Sequence, residues 1–163
     1  MKAALIALPA LALTLSACSG RADGELEPGQ WKQTVTIKSL EAPKAPPQAQ
    51  QALAKMAGKV TTNESCMGAD DAKQGVKSMA EAMQQGGKCS AGKFETAGGK
   101  IAGNFDCKLT ATGSSAMELT GTYEPTKITM NAKNTETNPS VPGGVVVVNL
   151  EIKAERVGEC KKG

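Results

Sequence analysis

Cys89-Ser90-Ala91-Gly92-Lys93-Phe94-Glu95-Thr96-Ala97-Gly98-Gly99-Lys100-Ile101-Ala102-Gly103-Asn104-Phe105-Asp106-Cys107 decides the fold. Gly98-Gly99 sits near its centre, and two-residue hairpin turns favour glycine because their central residues adopt positive φ. The flanks, Lys88–Glu95 and Lys100–Leu109, read as two strands. Cys89 and Cys107 lie almost symmetrically about the turn, so a cross-strand disulfide would clip the hairpin. Under strict alternation Cys107 shares a face with Ile101 and Phe105, whereas Cys89 opposes Phe94. A bulge near Ala91-Gly92 brings the two cysteines onto one face.

The β pattern continues toward the C-terminus. Ala116–Tyr123 places Met117, Leu119 and Tyr123 on one face, and Glu124-Pro125 turns the chain. Lys127–Lys133 points Ile128, Met130 and Ala132 the same way. Asn134–Gly144 is a polar loop, and Val145–Cys160 is a long last strand with Val148, Leu150, Ile152 and Ala154 inward. Toward the N-terminus, Trp31–Ile37 alternates as a first strand, and Glu41–Pro47 is a proline-rich loop. Two helices are expected next. One spans 47–60, opened by Pro46-Pro47, with Ala49, Leu53, Met56, Ala57 and Val60 at helical spacing. The other spans 70–85, capped by Asp70 or Asp71 and ended by Gly86-Gly87, with Ala72, Val76, Met79, Ala80 and Met83 as its stripe. The expected fold class is α+β. It is an antiparallel meander, free to curl into a partial barrel, with two short helices inserted after the first strand.

Only Trp31, Phe94, Phe105 and Tyr123 are aromatic. So thin a core calls for covalent support. Of the five cysteines, Cys66, Cys89, Cys107 and Cys160 make two disulfides in an exported domain, with three connectivities open. The hairpin favours Cys89–Cys107, which leaves Cys66–Cys160.

The fifth, Cys18, closes Leu15-Ser16-Ala17-Cys18. Lys2 and the apolar run Ala3–Leu15 precede it, too short for the roughly 20 residues of a membrane-spanning helix and suited to a signal h-region. The stretch resembles a bacterial lipobox, which implies cleavage before Cys18 and acylation of its thiol and amine. Two or three acyl chains anchor a protein stably where one does not. The organisation expected is therefore a signal peptide at 1–17, an acylated cysteine and flexible tether at 18–29, and one domain at 30–160. Ser19 after the cysteine points to the outer membrane, with the domain facing the periplasm.

Several chemistries find no residues. The chain has no histidine, which removes Ser-His-Asp and Cys-His catalysis. A zinc site from the four domain cysteines competes with their oxidation, and Met79 and Met83 at copper-ligand spacing are explained by packing. Gly87-Lys88-Cys89-Ser90-Ala91-Gly92-Lys93 imitates a phosphate loop, but Phe94 stands where Ser or Thr would hold Mg²⁺ and a strand follows where a helix should. Glu151, Glu155 and Glu159 share a solvated strand face. A net charge of +3, scattered along the chain, gives no nucleic-acid footprint. No cofactor is expected.

Together, Pro28-Gly29-Gln30-Trp31, Cys66-Met67 with Asp70-Asp71, the Cys89–Cys107 hairpin, Gly121-Thr122-Tyr123 and Arg156-Val157-Gly158-Glu159-Cys160 resemble a family of small Gram-negative envelope proteins catalogued as a domain of unknown function. The resemblance runs from about Glu25 to Cys160. It implies an exported, disulfide-bonded single domain and supplies no reaction or catalytic residue. The expected function is that of a non-catalytic, membrane-anchored binding or accessory module. The alternative is a carrier or sensor whose curled sheet, lined by Met117, Leu119, Ile128, Met130, Val148, Leu150 and Ile152, encloses an apolar ligand, provided the helices leave its concave face open.

Overall fold

A computed structural model describes residues 22–78, 81, 89–109 and 112–161. Seven strands form one antiparallel sheet in the order β2-β1-β7-β6-β5-β4-β3. They are β1 (Gly29–Glu41), β2 (Val60–Met67), β3 (Cys89–Ala97), β4 (Lys100–Lys108), β5 (Ser114–Glu124), β6 (Lys127–Thr137) and β7 (Val145–Gly158). The stretch from β3 to β7 is an uninterrupted meander, and β1 lies between its sequence neighbour β2 and the last strand β7. The sheet is not closed, because β2 and β3 remain its two edges.

The hairpin follows the expected register. Gly98 and Gly99 take φ of 57° and 76°, Cys89 pairs with Cys107, and the register shifts between Ala91 and Lys93. The extra residue, Gly92, is the bulge that sets the two cysteines opposite each other. The disulfides are Cys89–Cys107 and Cys66–Cys160.

The region between β1 and β3 differs from the helical expectation. The first helix, α1 (Pro47–Ala54), stops six residues early. Val60, assigned to its stripe, instead begins β2. That strand has no buried residue, so it shows no apolar alternation for a sequence reading to detect, although Val60, Thr61 and Thr62 favour extended backbone. The second helix, α2 (Ala69–Gln74), ends at Gly75 rather than near residue 85. Gly75 has φ +55°, and a Cβ there would lie 1.8 Å from the Gly24 carbonyl oxygen. Helical backbone resumes at residues 76–78. Met79, Ala80, Met83 and Gly86-Gly87 lie outside the described residues.

What forces Gly75 is a second departure. The tether expected over 18–29 is docked from Asp23 onward. Leu26 is buried, its N–H donates to the Ala72 carbonyl, and the Glu27 N–H donates to the Pro125 carbonyl. Val76 returns a backbone hydrogen bond to Gly24. The Asp23 carboxylate accepts from the Tyr123 hydroxyl and from the Gly98 N–H. Arg156 closes the other end of this segment, donating from Nε to the Pro28 carbonyl at 2.7 Å and pairing with Glu159. Leu26 alone gives the segment an apolar residue to bury; backbone hydrogen bonds and the Asp23 and Arg156 side chains hold the rest.

Candidate functional site

The register stacks side chains of successive strands in rungs across the concave face. One rung runs Ile101, Gly121, Met130, Ile152, Val35, the next Phe94, Gly103, Leu119, Ala132, Leu150, Ile37, and a third Phe105, Met117, Asn134, Val148, Leu40. The centre of the face is hollow around Ala132, the one alanine of its wall, whereas the space over Gly103 is taken by the Phe94 ring and that over Gly121 by Met130.

That hollow is a cavity of about 450 Å³. Its wall includes Ile101, Met117, Leu119, Met130, Leu150 and Ile152, completed by Phe94, Val76, Ala132 and Val148. The polar side chains on the wall are Gln33 and Asn134. Asn134 accepts a hydrogen bond from the Ser115 hydroxyl. Ligand sites of this kind measure roughly 300–1,000 Å³ and combine apolar walls with a few polar groups.

One end of the cavity is plugged. Leu26, Trp31, Val76, Ile101, Tyr123, Ile128 and Met130 form one buried cluster there. The Trp31 indole N–H donates to the Glu27 carbonyl at 2.9 Å, so the docked N-terminal segment covers the ring and satisfies its polar atom together. Beyond the plug, Phe105, Leu119 and Ala132 make a second, smaller cluster against half-buried Met117, Leu150 and Ile152. Among the described residues the helices leave the hollow open. The α2 region contributes Val76 to its wall, while α1 packs with Val141, Pro142 and Val146 around a separate hollow of about 260 Å³.

Six of the seven residues expected to line a ligand chamber do so: Met117, Leu119, Met130, Val148, Leu150 and Ile152. Ile128 does not, because it lies one rung nearer the plug and is buried beneath it. Alternation alone also marks Phe94, Ile101 and Ala132. Val76 is marked by the helical stripe at 70–85, whereas the polar pair Gln33 and Asn134 carry no comparable signal. Cys18 lies outside the described residues, as do Gly87 and Lys88 of the phosphate-loop imitation. The remainder of that stretch runs in β3.

Two members of the acidic row, Glu151 and Glu159, are engaged in ion pairs. Lys153 and Lys38 approach the Glu151 carboxylate at 2.7 and 3.8 Å. The Lys153 hydrogen bond holds that carboxyl below the usual range, the opposite of what a general acid needs. Glu159 pairs with Arg156. Among the described residues no group of three or more His, Cys, Asp or Glu side chains is placed to hold a metal ion, and no helix is long and apolar enough to cross a membrane.

An open, disulfide-clipped antiparallel sheet with an apolar hollow on its concave face defines a class by shape alone. The chain belongs to the family described as a protein of unknown function, DUF3617, whose model matches residues 26–160. No curated protein and no solved structure matches it.

Proposed function

We propose that this chain is a non-catalytic envelope lipoprotein, anchored through Cys18, that holds an apolar ligand on the concave face of its sheet. The observation that carries the ligand reading is the hollow of about 450 Å³ walled almost wholly by apolar side chains. A face with no binding role would gain by filling that space, because cavities in a core cost stability in proportion to their volume. Ala132, small in the middle of its rung, leaves it open instead. An alkyl or acyl chain, or an apolar molecule of similar cross-section, matches such a wall. Anchoring rests on the lipobox Leu15-Ser16-Ala17-Cys18 and the short apolar run before it.

Native mass spectrometry of protein purified gently from membranes tests the ligand reading. The expected spectrum shows non-covalent mass that disappears in Ala132→Trp, whose indole would occupy the hollow. Wild-type protein that is always bare, and that fails to bind a fluorescent alkyl-chain probe after delipidation, would overturn it.

A further inference from the structure

We infer that the end of the sheet carrying the docked N-terminal segment faces the anchoring bilayer, and that the far end points away from it. The inference rests on the proposed acylation of Cys18 and adds an orientation to it.

All the landmarks of one end lie together. They are the start of β1, the Gly98-Gly99 turn, the Pro125-Thr126 turn and the end of β7 at Gly158. The segment that leads back to Cys18 is fastened at this end: Asp23 on Tyr123 and Gly98, Glu27 on Pro125, and Pro28 on Arg156. The opposite end carries the loop through Pro139 and Ser140, reached along the eleven residues of β6.

Lengths decide the matter. A free tether over 18–29 would place no constraint on the domain, because an extended chain gains about 3.3–3.6 Å per residue and would span roughly the height of the sheet. With Asp23 fastened, five residue steps separate it from Cys18, a reach of at most about 18 Å. Eleven strand residues rise about 37 Å. A domain standing on its far end would hold Asp23 about twice as far from the bilayer as the leash can reach. The leash therefore excludes the inverted pose. The plug of Leu26, Trp31 and Tyr123 then stands between the cavity and the anchoring leaflet, and the Asn134–Val148 rim looks away from it. A ligand would exchange with the aqueous side or with a facing partner.

The test uses full-length acylated protein reconstituted into vesicles that carry headgroup nitroxide lipids. An environment-sensitive fluorophore is placed on Thr126→Cys in one preparation and on Ser140→Cys in another; both native side chains are exposed. Several-fold stronger quenching at residue 126 than at 140 is expected. Lengthening the leash with a Gly-Ser insert between Ala22 and Asp23 should erase that difference. Equal quenching without the insert, or stronger quenching at 140, would overturn the orientation while leaving anchoring intact. Protein that does not associate with vesicles at all would overturn the anchoring itself.

Discussion

The two halves of the concave face are built from the same strands and, among the described residues, differ in what lies on top of them. In the half nearer Gly98 and Pro125, the N-terminal segment and the α2 region supply a second layer, and Leu26, Trp31, Val76, Tyr123 and Ile128 are buried together. In the other half the corresponding rungs keep Met117 and Leu150 only half-buried, and the cavity lies among them. A sheet buries a face only against something. The plugged half spends its apolar surface on stability, while the hollow half leaves it available to a ligand. Each half also has its own disulfide: Cys66–Cys160 at the plugged end and Cys89–Cys107 at the far end of β3 and β4.

The largest expected effect separates those two bonds. Cys66 and Cys160 are 94 residues apart and Cys89 and Cys107 only 18. By loop-closure entropy the longer link constrains the unfolded chain by about 4–5 kcal/mol and the shorter by about 3 kcal/mol. Denaturant unfolding of the double variants Cys66→Ser/Cys160→Ser and Cys89→Ser/Cys107→Ser should show the first to be the less stable. The reverse order would mean that the hairpin clip, and not the long tie between β2 and the C-terminus, is the main covalent support.

A second pair of variants tests whether one half is full and the other empty. Ala72 is almost completely buried and its carbonyl accepts the Leu26 N–H. Enlarging it by Ala72→Leu should overpack the plugged half and cost about 1–3 kcal/mol. Ala132→Leu, on the cavity wall, should be tolerated or slightly stabilising and should weaken binding of an alkyl probe. Thermal unfolding of the two variants side by side gives the answer. Equal destabilisation would show that the hollow collapses in solution.

How much of this was legible in the sequence divides along the same line. The cysteine pairing, the bulge at Gly92 and most of the cavity wall follow from alternation about a Gly-Gly turn, because a strand with one buried face writes its pattern in period two. The covering layer wrote no such pattern. Leu26 is a single apolar residue among Asp, Gly, Glu and Pro, and the segment around it is held by backbone groups whose partners are remote in sequence. Strand β2 is exposed up to half-buried Met67 at its end, so no alternation of buried residues marks either of its faces. Helix α2 is cut at Gly75 by the Gly24 carbonyl, a contact between residues 51 positions apart that no local propensity encodes. The site's apolar wall was thus readable, whereas the plug that closes one end of it was not.

The smallest expected effect concerns the fastening of that plug. Asp23 accepts from the Tyr123 hydroxyl and from the Gly98 N–H, and the Tyr123 bond, ahead of the backbone ones, lowers its pKa. The unfolded chain then binds a proton more readily than the folded one. The stabilisation is complete above the ordinary Asp pKa of about 4 and is lost as pH falls through the lower folded value. Tyr123 is shifted the other way, first by burial and then by its bond to Asp23. Its contribution is complete below about pH 10 and disappears as pH rises through the raised folded value. The plug should therefore be tightest across the broad neutral range and loosen at both extremes. Asp23→Asn retains the shape and removes the charge. It should lower the melting temperature slightly at neutral pH and flatten the acid limb, with hydrogen exchange speeding up at the Leu26 and Glu27 amides before the strand amides of β5 and β6. Unchanged exchange at those two amides would mean that Leu26 and the backbone bonds hold the segment without Asp23. Asp23 would then be dispensable for keeping the leash short.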